Sequence, residues 1–346
     1  MDRCIGIDIG YGFVKITDGQ EGYLFPSVVG DGSAQFLPPI GLQPPAQTED
    51  MRVMIDGQIY FVGNLAIRHS RLAHRGLSAT RVEGNDFKVL LLTALSLFCP
   101  QPLNSFSVVT GLPPGRMHLT EELLRQVKGE HRVVRLTAQG SEEVTIRIDR
   151  VAVVPQPLGA YWSQVLDPRG KVREGAALLQ GRTGVIDVGF RTSDLVTIQD
   201  GEYVQEQSRT IPVGLVTAYE EVAGGLLAEH GVERETYALD ESIIRGEIGL
   251  AGKRVDITAL RERAFGQLAT KLLVEVQSAW QVKDFDALLL VGGGGHSLAR
   301  YLLPHLSQGA VPADPGTANS RGFAAWASRS WAPAPVSWTE HSTTTA

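Results

Sequence analysis

The sequence is poor in three things: cysteine, long apolar runs and net positive charge. Its two cysteines, Cys4 and Cys99, stand in apolar segments and are expected to be reduced core residues, which excludes a disulfide-based scaffold. No apolar run reaches the roughly 20 residues that a membrane-spanning helix needs, so we expect no membrane partner. The formal net charge of -6 gives no support for a basic face that binds nucleic acid directly.

Neither end of the chain has a recognisable targeting pattern. The first residues lack both the basic region and the apolar region of a signal peptide, so we expect a cytoplasmic protein. The last stretch, 331–346, is rich in Pro, Ser and Thr and has no amphipathic helical pattern. We predict a flexible tail there rather than a membrane anchor.

The chain is long enough and apolar enough to form more than one core. With 346 residues and 43% hydrophobic content, its size favours two domains over one. The composition of the chain changes at 167–184, a stretch rich in Gly, Arg and Lys. We expect the change of domain to lie close to that stretch.

The most informative stretch near the start is 5–16. Hydrophobic residues alternate on both sides of a Gly-Tyr-Gly bend at 10–12, which predicts a hairpin. Glycines let backbone amides approach phosphate oxygens, and Lys15 adds a positive charge. Asp8 suits a hydrated Mg²⁺ held against phosphates, because a carboxylate repels phosphate itself. The alternative is an ordinary hairpin with a solvated aspartate.

Two better-known phosphate-binding motifs do not fit. The segment 10–15 nearly matches the dinucleotide fingerprint, but its third glycine is missing and a strand follows where a helix should begin. Near 246–254 a Gly-Lys pair suggests a P-loop, yet Glu247 replaces the first glycine and Arg254 replaces the Ser or Thr. Both motifs are therefore set aside.

A second stretch, 184–196, repeats the pattern of the first. Both contain a hydrophobic-Asp-hydrophobic-Gly core, with Asp187 and Gly189 in the second copy, and in both a strand follows the bend. One such hairpin is weak evidence. An internal repeat of a phosphate-type hairpin, however, indicates two similar domains that face each other across a nucleotide cleft.

A third glycine-rich stretch lies late in the chain. The continuous apolar run 287–291 has the pattern of a strand buried on both faces, and it leads into the glycines at 292–295, followed by His296. These glycines cost backbone entropy, which indicates that a ligand approaches this backbone closely. A nucleoside or phosphate at this turn is one interpretation, and a tight turn that simply needs glycine is the other.

Five segments in a fixed order together resemble the actin superfamily of nucleotide-binding proteins. Residues 5–16 resemble its first phosphate loop, 184–196 its second and 288–297 its adenosine loop. Its two connecting segments are similar to 153–161 and 314–327. The resemblance covers nearly the whole chain.

The resemblance implies an architecture. Short signatures, such as Thr-Gly-Leu-Pro at 110–113, are most similar to bacterial and archaeal actin-like proteins, including the plasmid-segregating ParM group. The implied fold class is α/β, with two actin-like (RNase H-like) domains flanking a nucleotide cleft, each with a mixed five-stranded sheet and surrounding helices. Domain I is expected at 1–154 plus 315–330 and domain II at 155–314, followed by the tail at 331–346.

The resemblance also implies a slow, assembly-coupled ATPase with ATP (or GTP) and Mg²⁺ as cofactors. Asp8 would hold the metal through water, and Asp187 would complete the metal site or polarise the attacking water. The other residues expected against the nucleotide are Gly10, Tyr11, Gly12, Lys15, Gly189, Phe190, Arg191, Thr192, Glu241, Gly292, Gly293, Gly294 and His296.

Two of the implied site residues have structural alternatives. Gln156 falls where the family places a polar residue that orients the lytic water, so Asp187 and Gln156 are the expected catalytic pair. The alternative role for Gln156 is a buried amide that caps the following helix. Arg191 stands where many relatives have a small residue, and it either meets phosphate or forms a surface salt bridge.

The implied partners are further copies of the chain, as a filament, and a DNA-binding adaptor for plasmid segregation. Two other classes of function stay open. A sugar kinase or polyphosphatase on the same fold usually carries an additional acid for a substrate hydroxyl, for which the sequence offers no clear candidate. A non-polymerising scaffold, like the membrane-associated relatives, is disfavoured because the chain has no amphipathic tail.

Overall fold

The computed structural model describes residues 2–33, 46–70, 74–75, 85–137, 140–250 and 252–331. Within these ranges most strands belong to two sheets, each covered by helices, and a cleft separates the two sheet-containing domains. The tail predicted at 331–346 lies outside the described residues except for Trp331, which ends the last helix.

The first sheet is built from the N-terminal part of the chain. Its strands are β1 (Arg3–Ile9), β2 (Phe13–Thr17), β3 (Gly22–Pro26), β4 (Val28–Asp31), β5 (Met51–Ile55), β6 (Gln58–Val62), β7 (His74–Arg75), β8 (Leu103–Leu112), β9 (Gly129–Thr137) and β10 (Gly140–Pro155). Their order across the sheet is β3-β2-β1-β8-β10-β9-β5-β6-β4-β7. The accompanying helices are α1 (Asn64–His69), α2 (Asp86–Ser96) and α3 (Thr120–Val127).

This sheet is larger than the five strands predicted for it. β10 has 16 residues, and its N-terminal part pairs with β9 while its C-terminal part runs parallel to β8. β9 then pairs with β5, which brings in the hairpin β5-β6. The five strands β3-β2-β1-β8-β10 correspond to the expected sheet. Because β10 is long enough to pair with β9 as well as β8, the sheet extends beyond these five strands.

The second sheet has the predicted five strands, in the order β13-β12-β11-β16-β17. The strands of this part of the chain are β11 (Arg182–Val188), β12 (Ser193–Gln199), β13 (Glu202–Ile211), β14 (Glu247–Leu250), β15 (Lys253–Asp256), β16 (Ala287–Val291) and β17 (Gly309–Ala310). The helices in this part of the chain are α4 (Pro157–Val165), α5 (Leu215–His230), α6 (Asp240–Arg245), α7 (Thr258–Ala279), α8 (Gly295–Leu302) and α9 (Ala318–Trp331).

Both predicted Asp hairpins are confirmed. β1 pairs antiparallel with β2 and parallel with β8, and β11 pairs antiparallel with β12 and parallel with β16. Each Asp therefore lies near the carboxyl end of a strand that is flanked on both sides. Open α/β sheets bind ligands at this edge, so the topology places Asp8 and Asp187 where a ligand site is expected.

One predicted helix is shorter than expected. The sequence predicts a helix over 237–248, but α6 ends at Arg245, because Gly246 adopts the left-handed conformation with φ of 75°. Glycine ends a helix in this way without steric strain. The chain then forms the hairpin β14-β15 instead of a further helical turn.

Helices α4 and α9 cross where two glycines meet. α4 packs against the second sheet, and α9 packs against β1 of the first. A Cβ atom at Gly322 would overlap the carbonyl oxygen of Gly159. No side chain fits between the helices at this crossing, so the two domains are joined by a close backbone contact.

We expect Gly322→Ala to lower the free energy of unfolding by about 3 kcal/mol, because the added methyl group forces the helices apart. Gly224→Ala in α5 is the matched control, since a Cβ there meets nothing within 4 Å. The control should gain roughly 0.5–1 kcal/mol from helix propensity. Urea unfolding followed by tryptophan fluorescence measures both, and equal effects would contradict the close crossing.

Candidate nucleotide site

A cavity of about 690 Å³ lies between the two domains. Its walls are formed by the bends of both Asp hairpins, the glycine turn after β16, the segment after β8 and the helices α5 to α8. The residues predicted from the sequence that line it are Asp8, Gly10, Tyr11, Gly12, Lys15, Gln156, Asp187, Gly189, Phe190, Thr192, Gly292, Gly293 and His296.

Asp8 is held by two donors from the first domain and the start of α4. Lys15 lies opposite Asp8 in the β1-β2 register, and its Nζ donates to Asp8 Oδ2 over 3.0 Å. The Nε2 of Gln156 donates to the other oxygen, Oδ1, over 2.6 Å. Asp8 is 2% exposed. Gln156 makes no side-chain hydrogen bond that caps α4, so its amide faces the cleft and the capping alternative is wrong.

Asp187 is the equivalent carboxylate of the second domain. Its Oδ2 accepts a hydrogen bond of 2.7 Å from Nδ2 of Asn319, the second residue of α9. The pKa of Asp187 is raised to about 6, chiefly by burial: the Asn319 hydrogen bond and Lys15 lower it, and the charge of Asp8 raises it. Asp187 is therefore largely ionised at neutral pH and can still accept a proton.

The cleft also contains a carboxylate that the sequence analysis missed, Asp194. It lies directly opposite Asp187 in the β11-β12 register and is 4% exposed. Burial raises the pKa of Asp194 to about 8, and the charge of Asp187 raises it too, although a hydrogen bond from Thr210 lowers it. Its Oδ1 has no hydrogen-bond partner in the described part of the chain. The register of the predicted hairpin was the signal that could have identified it.

Each of the two glycine bends is closed by a backbone hydrogen bond within the bend itself. The Gly10 amide donates to the carbonyl of Phe13 over 3.1 Å, and the Gly189 amide donates to the carbonyl of Thr192 over 2.9 Å. These bonds close the bends and fix the direction in which each hairpin faces the cleft. A Cβ atom at Gly12 would lie 3.2 Å from Cβ of Phe190, so the two bends approach each other closely.

Two residues predicted against the nucleotide do not face the cleft. Glu241 is 81% exposed, pairs with Arg245, one turn along α6, over 3.1 Å, and does not line the cavity. Gly294 donates its amide to the carbonyl of Val188 over 2.9 Å and does not line the cavity. The cavity wall near them is instead formed by Asp240, Ile243 and Arg261, among others.

Arg191 also stays off the cavity wall. Its guanidinium lies 5.8 Å from the centroid of the Tyr11 ring. It forms no salt bridge with any described residue, so the described part of the chain does not support the salt-bridge alternative. The stacking on Tyr11 places it at the edge of the first bend.

The carboxylate oxygens in the cleft are suitable ligands for a hydrated Mg²⁺. The described residues contain no group of three or more His, Cys, Asp or Glu arranged to bind a metal. Mg²⁺ does not need one, because it usually keeps several waters and binds one or two carboxylates together with phosphate oxygens. Asp8 and Asp187 supply such a pair of carboxylates, and Asp194 lies opposite Asp187 on the neighbouring strand.

The paired hairpins and the cleft between two α/β domains define a protein of the actin-like fold class. A family model described as the actin-like proteins N-terminal domain matches residues 6–159, and one described as the C-terminal domain of the archaeal actin homologue MreB-like proteins matches 185–303. The chain belongs to the actin superfamily, and its similarities lie with the bacterial and archaeal actin-like proteins. No curated protein sequence matches it.

Several solved structures share this fold over nearly the whole chain. A ParM filament from Clostridium botulinum is 25% identical, with a TM-score of 0.81 and coverage of 94% of this chain and 99% of that one. An archaeal actin homologue in complex with ADP is 21% identical, with a TM-score of 0.77 and coverage of 95% and 100%. Bacillus thuringiensis ParM with AMPPNP is 17% identical, with a TM-score of 0.69 and coverage of 92% and 96%.

No helix within the described ranges is both long enough and apolar enough to cross a bilayer. This agrees with the lack of long apolar runs in the sequence.

Asp194→Asn is expected to stabilise the metal-free protein more at pH 8 than at pH 5. The native pKa of Asp194 is about 8, above the value of about 4 for an unfolded aspartate. The native state therefore holds the proton more tightly, and the wild type loses stability as the pH rises between these values. Asparagine removes this loss. The measurement is the urea midpoint with EDTA at both pH values.

Asp200→Asn is the control for this experiment. Asp200 is exposed at the β12-β13 turn, and hydrogen bonds from Gln199 and the Gly181 amide lower its pKa. Its charge stays constant between pH 5 and 8, so its effect should not change over that range. A pH-independent effect of Asp194→Asn would contradict the burial of an ionisable carboxyl group at this position.

Proposed function

We propose that this chain binds ATP or GTP together with Mg²⁺ in the cleft, hydrolyses the nucleotide slowly and assembles into filaments. The observation that carries the proposal is the pair of Asp hairpins on the two walls, with Asp8 and Asp187 buried at the ends of their strands. The relatives solved with ADP and with AMPPNP support a nucleotide as the ligand.

In this proposal the phosphates lie between the two bends, with Lys15 as the nearby cation and Thr192 on the opposite wall. The glycine turn, with Gly293 and His296, receives the nucleoside. Asp8 and Asp187 hold a hydrated Mg²⁺, which would neutralise charge on the phosphates and orient them. The division into domain I at 1–154 plus 315–330 and domain II at 155–314 is part of the same proposal.

Gln156 and Asp187 have complementary roles in the proposed hydrolysis. Gln156 donates its Nε2 to Asp8, so its Oε1 is the atom that accepts a hydrogen bond from the attacking water. Asp187 is the carboxylate that accepts the proton as the water attacks. An amide is a poor base, so the hydrolysis depends mainly on positioning and electrostatics, with Asp187 as the only base of the pair. We therefore expect slow hydrolysis, which would let filaments assemble before the bound nucleotide is hydrolysed.

The filament part of the proposal is supported by the similarity to a solved ParM filament over nearly the full length of both chains. We propose plasmid segregation in the cytoplasm as the role of this filament. The net charge of -6 disfavours direct DNA binding, so a DNA-binding adaptor is the proposed link to the cargo.

Sedimentation at micromolar protein concentration tests the proposed function. The wild type should pellet with ATP and Mg²⁺ and stay in the supernatant with ADP, because filament stability depends on the bound nucleotide. Lys15→Gln should not pellet with either nucleotide, since it removes the cation paired with Asp8. The absence of any nucleotide-dependent pellet from the wild type would contradict the filament proposal.

A further inference from the structure

Two arginines from opposite domains converge on Tyr11 at the bend of the first hairpin. Arg116, in the 3-10 turn Pro114–Leu119 after β8, donates a hydrogen bond to the Tyr11 hydroxyl, and its guanidinium carbon lies 5.4 Å from the ring centroid. Arg191, in the second bend, lies over the same ring. The bend between the phosphate-facing hairpins therefore carries two guanidinium groups.

Only one of these groups faces the cleft. Arg116 is half-buried and lines the cavity, whereas Arg191 does not. Arg116 forms no salt bridge within the described residues; its hydrogen bond goes to the Tyr11 hydroxyl, and its charge acts on Asp194 only through space, lowering the pKa of that carboxyl group. The guanidinium keeps its charge at every physiological pH and carries five N–H donors, of which the contact with Tyr11 uses few. Arg116 therefore has capacity for an anion inside the cleft.

The position of Arg116 is fixed by contacts that bridge the domains. The amide of the preceding residue, Gly115, donates to Thr210 Oγ1 on β13 over 3.0 Å. Thr210 lies opposite Asp194 in the strand register. Pro113 and Pro114 restrict the backbone just before this contact. The segment that carries Arg116 is thus attached to the second domain, next to the buried carboxylates.

Arg116 also lies at the hydrolytic end of the cleft rather than at the nucleoside end. The backbone N–H of Gln156 donates to the carbonyl of Leu112 over 2.8 Å. Leu112 lies four residues before Arg116 in the sequence. The backbone of Gly115 is bonded to Thr210, which lies opposite Asp194 in the strand register, so this segment is next to the carboxylate side of the cleft. The terminal phosphate of a bound triphosphate would therefore be the phosphate closest to Arg116.

We infer that Arg116 binds the terminal phosphate of a nucleoside triphosphate and leaves the Tyr11 hydroxyl to do so. The inference rests on the proposed function of the cleft. A guanidinium-phosphate pair is bidentate and charge-assisted, so it is stronger than a hydrogen bond to a phenol. A diphosphate lacks the terminal group and leaves Arg116 on Tyr11. Arg116 thereby distinguishes triphosphate from diphosphate.

Calorimetric titration with Mg²⁺ and either AMPPNP or ADP tests this inference. Arg116→Gln should bind AMPPNP about tenfold or more weakly than the wild type, since a hydrogen bond to a charged group is lost. Its affinity for ADP should stay within about twofold, because the diphosphate does not reach this group. Tyr11→Phe keeps the ring and removes the hydroxyl acceptor, so it should bind AMPPNP at least as tightly as the wild type.

Arg234→Gln is the control, because Arg234 is exposed and, among the described residues, donates to the backbone carbonyl of Glu233 alone. It should match the wild type with both nucleotides. An unchanged AMPPNP-to-ADP affinity ratio in Arg116→Gln would overturn the role of Arg116 while leaving the proposed function intact. A wild type that binds neither nucleotide would overturn the proposed function and the inference together.

Discussion

Two carboxylates buried on opposite walls of one cleft, Asp8 and Asp187, set the constraint on which the rest of the site depends. They lie close enough for the charge of Asp8 to raise the pKa of Asp187. Buried charges are costly unless they are paired and hydrogen-bonded. Lys15 supplies one positive charge, and the amides of Gln156 and Asn319 each donate one hydrogen bond. The remaining negative charge matches the proposed Mg²⁺.

The amide donors come from the two chain segments that cross between the domains. Gln156 immediately precedes α4, and Asn319 lies in the first turn of α9. Asn319 also accepts a hydrogen bond of 3.1 Å at its Oδ1 from the amide of Ala160. The orientation of Asp187 is therefore tied to the helix crossing at Gly159. Any rotation of one domain against the other would move these donors relative to both carboxylates.

The parts of the site that the sequence predicts are those encoded by local pattern. Alternation and glycine placement within 5–16 and 184–196 specify the two hairpins, because strand period and bend chemistry are short-range properties. Asp194 was missed because its position depends on cross-strand register. Arg116 was missed because tertiary packing carries it to the cleft. Glu241, which the resemblance placed against the nucleotide, lies on the exposed side of α6, because the packing of that helix on its neighbours is not a local property of the sequence.

Phosphate release from ATP and Mg²⁺ by Asp187→Asn is the most direct test of the central claim that the buried carboxylate pair forms the hydrolytic site. The account predicts release at least about 100-fold slower than in the wild type, with ATP still bound. Asp200→Asn, at an exposed turn, should release phosphate like the wild type. Undiminished release from Asp187→Asn would contradict the account.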